Sequence, residues 1–130
     1  ARTAEDAAAS LGCDLGAIVK SLVFAIGGQP VMALVAGDRR CNTKALPAAL
    51  GMTGKAKRAD ADLVRETTGF SIGGVAPVGH LTTIPLVIDQ SLARFDTVYA
   101  AAGHPHCVFA TTVAELAGLT GAGVSDALAE

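Results

Sequence analysis

The sequence predicts an α+β fold in which helices pack outside a mixed, mostly antiparallel sheet within a single domain. Two apolar segments flank the dipeptide Gly27-Gly28, and this pattern is typical of an antiparallel hairpin. Further strand and helix segments follow without the strict alternation of a doubly wound fold. At 130 residues, of which 51% are hydrophobic, the chain is large enough for one domain with a substantial core.

The first elements are a helix and the hairpin. Thr3 is placed to cap a helix over residues 4–11, which Gly12 ends. Residues 18–26 are rich in Val, Ile, Leu and Phe, so they predict a strand. Residues 30–36 predict its antiparallel partner.

Two short helices are expected in the next part of the chain. A helix reaching Leu50 can be capped by Asn42 or Thr43. Asp60 is placed to cap a second helix over residues 61–68. Residues 55–58, between these helices, form a short basic segment.

The second half begins with a glycine-rich stretch over residues 69–79 and then returns to regular elements. Asp89 is interpreted as a helix cap that follows a buried strand. Thr111 or Thr112 can cap the last helix, over residues 113–119. The predicted strands of this half are residues 84–88, 97–102 and 107–110.

Composition narrows the functional class. The net charge of −2 gives no global attraction for a phosphate backbone, and aromatic residues, at 4%, are too few for a nucleic-acid stacking platform. Three isolated cysteines indicate reduced thiols in a cytoplasmic protein. No apolar run reaches the roughly 20 residues of a membrane span.

Lys20 lies inside the most apolar run of the chain, "AIVKSLVFAI". Both faces of this predicted strand are apolar, so the strand is expected to be central in the sheet. One interpretation is a lysine whose stem is buried while its amine reaches water. The other is an ammonium directed into a cavity to bind a phosphate or a carboxylate. Composition does not decide between them.

The segment "GGVAPVG", residues 73–79, contains three glycines and a proline in seven residues. It matches neither a dinucleotide-binding GxGxxG motif nor a P-loop. Glycines allow main-chain N–H and C=O groups to approach a ligand closely, and Pro77 stiffens the path. Such a loop is only weak support for a site by itself.

Other candidate residues have simpler interpretations. The run His104-Pro105-His106-Cys107 lacks the spacing of a zinc site, so no metal is predicted. Cys13 and Cys107 are outside any recognisable Cys/His nucleophile arrangement. Asp38 is interpreted as a turn residue.

Five motifs together resemble a known family. The segments "IVKSLVF", "GDRR", "TGFSIGGVAPVGH", "VIDQSL" and "YAAAGHPHCVF", in this order, resemble the YbaK/ProX aminoacyl-tRNA deacylases, which are related to the editing domain of prolyl-tRNA synthetases. The resemblance covers nearly the whole chain and implies a barrel-like sheet. Family members begin with a further strand and helix, so the chain is expected to lack that N-terminal segment.

The resemblance also implies an activity and a site. The activity is hydrolysis of the ester between a wrong, small amino acid (Ala, Cys, Ser or Thr) and its tRNA, without a cofactor. Lys20 would hold the phosphate of the terminal adenosine, and a GxxxP loop would bind the aminoacyl group and position water. That loop comprises Gly73, Gly74, Val75, Ala76 and Pro77. The residues implied in substrate binding are Ser21, Gly79, Gly103, His104, Arg39 and Arg40.

The expected partner is aminoacyl-tRNA, held at its acceptor end, and the resemblance allows an aminoacyl-tRNA synthetase as a second partner. Arg39, Arg40, Lys57 and Arg58 are candidates for a local patch that contacts the acceptor stem. Two alternatives remain open: a non-catalytic regulatory protein that binds a nucleic acid or nucleotide, and a pocket for a nucleotide or an amino acid ester without tRNA. The oligomeric state stays open.

Overall fold

The computed structural model describes residues 3–72, 74–103 and 107–130, and the main chain of His104. Strands β1 (Val19–Ile26) and β2 (Gln29–Ala36) form the predicted antiparallel hairpin. Gly27 and Gly28 connect them with φ values of 57° and 84°, which favour glycine.

Five strands form the main sheet, in the order β3-β1-β2-β4-β7. The pairs of β1 with β2 and with β3 are antiparallel, whereas β4 pairs in parallel with both β2 and β7. A second, two-stranded antiparallel sheet contacts the first through a bridge between Ile18 and Tyr99. The remaining strands are β3 (Ala56–Arg58), β4 (Leu86–Asp89), β5 (Val98–His104), β6 (Cys107–Thr111) and β7 (Gly123–Ser125).

In the described ranges, four α-helices accompany the sheets, and three of them have the predicted caps. The side chains of Thr3, Asp60 and Thr112 each accept a hydrogen bond from a main-chain N–H in the first turn. The helices are α1 (Ala4–Leu11), α2 (Leu46–Ala49), α3 (Ala61–Thr68) and α4 (Val113–Thr120).

Both faces of the main sheet are buried. Met32 and Leu34 on one face pack with Val64 of α3 and Leu116 of α4. The other face packs against a second core cluster that includes Leu46 of α2. The predicted α+β fold with a mixed, mostly antiparallel sheet flanked by helices is therefore confirmed. In the described part of the chain the sheet stays open rather than closing into a barrel, because β3 and β7 are its unjoined edges.

Several predicted boundaries were wrong. Helix α2 begins only at Leu46, because the Asn42 side chain accepts a hydrogen bond from the Lys44 N–H and stabilises a turn before the helix. Strand β4 begins at Leu86 rather than at Ile84, since Pro85 has no N–H to donate.

Two short strands were missed altogether. The basic segment contains β3, which pairs with the end of β1, and β7 lies after the last helix. Strand β5 extends two residues beyond its predicted end and contains an irregularity between Ala101 and His104.

None of the helices in the described ranges has the length and apolar character needed to cross a bilayer.

Candidate functional site

A pocket of about 420 Å³ lies beside the first half of β1. We call it the edge pocket. It receives atoms from α1, β1, β3, α3, the glycine-rich segment and the two-stranded sheet. Its lining residues include Lys20, Ser21, Arg58, Ile72, Val75 and Tyr99.

The pocket occupies a gap in strand pairing. The edge of β1 that faces away from β2 is paired at its two ends, with Tyr99 at Ile18 and with β3 at residues 24–26. Along residues 20–22 of this edge, no described residue supplies a pairing strand. Because the edge is open there, side chains from both faces of β1 reach one pocket, and Lys20 and Ser21 do so although they are neighbours in sequence.

The main chain of β1 also contributes to this gap. The Gly37 N–H donates to the Ile18 carbonyl (2.8 Å), which shows that even-numbered residues direct their peptide groups toward β2. The Ala59 N–H donates to the Val23 carbonyl (3.2 Å) on the opposite edge, as expected for odd-numbered residues. The peptide groups of Ser21 therefore point toward the open edge.

The amine of Lys20 is hydrogen-bonded rather than unpaired. Its Nζ donates to the main-chain carbonyl of Arg39, 2.5 Å away, in the turn after β2. Burial lowers the pKa of this amine, while the carboxylates of Glu5 and Asp38 act in the opposite direction. The side chain is half-buried, so the amine is partly desolvated without being isolated in the core.

Ser21 presents a buried hydroxyl that lacks a partner. Its Oγ is inaccessible to solvent and makes no hydrogen bond among the described residues. Buried hydroxyl groups are nearly always hydrogen-bonded, so an unsatisfied one in a residue that lines the pocket needs an explanation.

The glycine-rich segment reaches the edge pocket through Val75. Gly74, Val75, Ala76 and Pro77 are buried, and Ile72, which is 52% exposed, lines the pocket from the same segment. Gly73, the first residue of the predicted loop, lies outside the described residues.

Two contacts of His80 stabilise the conformation of the glycine-rich segment. Nε2 of His80 lies 2.7 Å from the carbonyl oxygen of Ala76. The ring of His80 packs edge-on against Phe70, with 6.1 Å between centroids. The sequence interpretation had assigned no role to His80 or Phe70, since neither carries a recognisable chemical motif.

The other predicted substrate-binding residues lie away from the described lining of the pocket. Gly79 and Gly103 both have positive φ and lie beside the Phe70 ring. Arg39 and Arg40 have exposed side chains, and Arg39 lines a separate surface concavity. The side chain of His104 lies outside the described residues.

Sequence reasoning placed Arg58 only in a surface patch and overlooked Tyr99. Arg58 lies on β3 with its guanidinium 5.8 Å from the Phe24 ring centroid, and it lines the edge pocket. The charge of Arg58 lowers the pKa of the Lys20 amine. The basic character of the segment was the available clue, but the strand that places Arg58 next to Phe24, with its side chain still exposed, was not recognised.

The chemistry available in the pocket is specific. Its described lining offers an ammonium, a guanidinium, the hydroxyl groups of Thr3, Ser21 and Tyr99, and strand-edge peptide groups, but no carboxylate, imidazole or thiol. Across the described chain, no three His, Cys, Asp or Glu side chains converge in a way that could hold a metal ion. The arrangement can bind an anionic group beside a polar one and orient them, and its lining contains no carboxylate or imidazole that could activate one of the hydroxyl groups.

Comparisons with known proteins identify relatives along most of the chain. An uncharacterised protein of Bacillus subtilis (strain 168), YwhH, is 36% identical over 115 residues, which are 88% of this chain and 72% of that protein. A proline–tRNA ligase of Geobacter sp. (strain M21) is 37% identical over 91 residues, or 70% of this chain. The matched region is only 16% of that ligase, so it corresponds to one segment of a much longer protein.

Solved structures give the same result. A crystal structure provisionally described as a trans-editing enzyme for prolyl tRNA synthetase is 43% identical, with a TM-score of 0.92 over 99% of this chain and 80% of that one. The aminoacyl-tRNA editing domain matches residues 1–119. This match covers far more than half of the sequence. It agrees with the observed mixed sheet and with the relatives found by sequence similarity. The chain therefore belongs to the aminoacyl-tRNA editing domain family.

Proposed function

We propose that this protein hydrolyses the ester that joins a wrongly attached small amino acid to the 3′ end of tRNA, acting in trans. Water adds across the ester bond, and the products are the free amino acid and a tRNA with its terminal hydroxyl restored. Family membership supports an editing role. The observation that carries the proposal is the edge pocket, which combines binding groups with no carboxylate, imidazole or thiol in its described lining.

An aminoacyl ester is already activated, so its hydrolysis depends on orientation and on stabilising negative charge. In the proposed mechanism the Lys20 ammonium binds the phosphate of the terminal adenosine. Arg58, which also lines the pocket, adds a second positive charge. The Ser21 hydroxyl gains its missing partner from the ribose or the aminoacyl group.

The glycine-rich segment has the second role. Main-chain groups of residues 73–77 contact the aminoacyl group and position the attacking water, and a hydroxyl of the substrate's own ribose assists the proton transfer. Within residues 73–77, Val75 is the described residue that lines the pocket. Apolar walls from Val19, Val23 and Val64 limit the space and favour a small side chain such as that of Ala, Cys, Ser or Thr.

Partner recognition is proposed to be local. The net charge of −2 does not favour binding along a whole tRNA, so the protein is expected to hold the acceptor end alone. The exposed side chains of Arg39 and Arg40 are candidates for contacts with the acceptor stem of the tRNA. A synthetase is proposed as a second partner that supplies mischarged tRNA.

The decisive experiment measures release of free amino acid from a panel of tRNAs charged with Ala, Cys, Ser, Thr or Pro. Wild-type protein should deacylate at least one of the four mischarged substrates faster than prolyl-tRNA. Lys20→Ala should abolish most of this activity. Lys44→Ala serves as the matched control, because Lys44 is exposed and does not line the edge pocket.

The same panel distinguishes the alternatives. Binding of tRNA without release of any amino acid would contradict the hydrolase and support a regulatory protein. Equal rates on an aminoacyl-tRNA and on a free amino acid ester would instead indicate a small-molecule pocket that makes no use of tRNA.

A further inference from the structure

The Lys20 amine is connected to a surface ion pair through one main-chain carbonyl. Lys20 Nζ donates to the Arg39 carbonyl, and the preceding residue, Asp38, accepts two hydrogen bonds from Arg94, at 2.7 and 3.1 Å. We propose that the Asp38–Arg94 ion pair is a positioning element, which holds the Arg39 carbonyl where it directs the Lys20 amine into the edge pocket. The inference rests on the proposed role of Lys20 as the phosphate anchor.

The amine needs such a direction. An ammonium group has three N–H donors and can rotate freely at the end of a flexible stem. When one donor is held by a fixed carbonyl, the directions of the other two are set. A phosphate then meets donors that are already oriented, which reduces the entropy lost on binding.

Arg94 is itself firmly held. Its Nε donates to the Ser91 carbonyl at 2.6 Å, within the 3₁₀ helix Gln90–Arg94. The main-chain N–H of Ser91 donates to Asp89, the buried cap of this helix, which also accepts from the Ala36 N–H at the end of β2. The guanidinium is therefore anchored to the main sheet through the 3₁₀ helix and Asp89. Its planar group can donate to both carboxylate oxygens of Asp38.

Gly16 makes room for the pair. A Cβ atom at Gly16 would lie 2.7 Å from Nη2 of Arg94 and 3.0 Å from each carboxylate oxygen of Asp38. Replacing this glycine by alanine therefore disturbs the ion pair without removing either charge. Gly16 lies in the 3₁₀ helix Leu15–Ala17, just before β1. The ion pair therefore lies where three segments meet near the start of β1: this helix, the turn after β2 and the 3₁₀ helix that contains Arg94.

The ion pair is not needed to hold the fold together. Asp38 and Arg94 have side chains that are 34% and 37% exposed, and partly exposed pairs contribute little to folding stability. The turn keeps other anchors, since the Arg39 N–H donates to the Ala36 carbonyl and Arg40 pairs with Glu130 through main-chain bonds. Losing the pair should therefore let the peptide group between Arg39 and Arg40 shift, within the limits set by the bond from the Arg40 N–H to Glu130, without unfolding the protein.

A labelling experiment tests the link without any substrate. The free protein is treated with limiting acetic anhydride, and acetylation of Lys20 is measured by peptide mass spectrometry relative to the other lysines, Lys44, Lys55 and Lys57. In Arg94→Gln and Gly16→Ala, Lys20 should be acetylated severalfold faster, because its amine is released from the carbonyl. Asp126→Asn is the matched control: it removes an exposed carboxylate from the concavity that Arg94 lines, outside the ion pair.

Kinetics test the consequence. Arg94→Gln and Gly16→Ala should lower kcat/KM for deacylation about tenfold, mainly through KM, with thermal melts close to wild type. Arg94→Lys, which keeps the charge but loses the planar fork, should rescue only part of the loss. In a Lys20→Ala background, Arg94→Gln should cause no further loss, which a merely structural role would not predict.

The outcomes separate the two proposals. Unchanged Lys20 acetylation in both Arg94→Gln and Gly16→Ala would overturn the positioning role. Faster acetylation together with wild-type deacylation in Arg94→Gln and Lys20→Ala would support the link between the pair and the amine, but it would overturn the phosphate-anchor role of Lys20.

Discussion

The ring of Phe70 lies directly against Gly103, so closely that a Cβ atom on Gly103 would be 2.7 Å from Cε1 of the ring. Gly103 has a φ of +90°, which side-chain-bearing residues rarely adopt. The Phe70 ring in turn contacts His80, whose Nε2 lies 2.7 Å from the Ala76 carbonyl oxygen. A small residue in β5 therefore supports the glycine-rich segment from behind.

Gly103→Ala should disturb this support. Strained φ and the clash with Phe70 should lower the free energy of unfolding by about 1–3 kcal/mol. Deacylation should fall as well, because the segment that carries Val75 loses its backing. Gly118→Ala is the control: Gly118 lies inside α4 with open space around it, so alanine there should stabilise the protein by about 0.5–1 kcal/mol. Urea unfolding compares the two, and equal stabilisation by both would contradict the proposed contact.

Lys20→Ala should separate activity from stability. The substitution removes a hydrogen bond to Arg39, but it also removes the cost of a partly desolvated charge, so stability should change by less than about 1 kcal/mol. Deacylation should fall roughly 100-fold or more, because the ester loses its anchor. Lys20→Arg should not restore it, since a larger planar group does not fit a point-charge contact. Thermal melts and single-turnover rates provide the measurement, and a wild-type rate for Lys20→Ala would contradict the role.

Ser21→Ala should increase the stability of the free protein and weaken its interaction with the substrate. The unpartnered hydroxyl costs free energy in the absence of ligand, so its removal should raise the free energy of unfolding by about 1 kcal/mol. KM should increase, because the substrate loses a hydrogen-bond partner. Ser91→Ala is the opposite case: the Ser91 hydroxyl binds Asp89, and its loss should destabilise by about 1 kcal/mol. Destabilisation by Ser21→Ala would show that its hydroxyl is satisfied in solution.

The thiols should differ sharply in reactivity. Burial raises the pKa of Cys41 to about 11, with a further contribution from Asp89, whereas Cys107 is exposed. At pH 8 a thiol with that pKa is on the order of 0.1% thiolate, so Cys41 should resist alkylation by iodoacetamide. Because Cys41 ionises near pH 9 once unfolded, its contribution to stability should decline as the pH rises from 9 toward 11. Alkylation of Cys41 as fast as that of Cys107 at pH 8 would contradict its burial.

Local chemistry made the helices and the hairpin predictable. Thr3, Asp60 and Thr112 cap their helices as expected, because a side-chain oxygen just before a helix can accept a hydrogen bond from a free main-chain N–H of the first turn. The Gly27-Gly28 turn set the pairing of β1 with β2 for a similar reason. These features depend on residues that are close together in the sequence.

Features that depend on distant residues were harder to predict. Strands β3 and β7 have three residues each and become strands only through pairing with β1 and β4, so no local pattern marks them. Asp38 was interpreted as a turn residue, which holds, but its partner Arg94 lies 56 positions away. The sequence left open whether the Lys20 amine reaches water or enters a cavity, and it did not predict the hydrogen bond to a carbonyl 19 positions away.

The gap along β1 also limits how related sequences can diverge. Lys20 and Ser21 reach the same pocket from opposite faces of one strand, and their faces are set by counting residues back from the Gly27-Gly28 turn. A single-residue insertion or deletion between Ser21 and Gly27 would exchange the two faces for every earlier residue of the strand. Lys20 would then point to the face that Ser21 occupies now, and Ser21 to the face of Lys20. The Lys20 amine would lose its hydrogen bond to the Arg39 carbonyl. Length changes should therefore accumulate in the loops, while this strand keeps a constant number of residues.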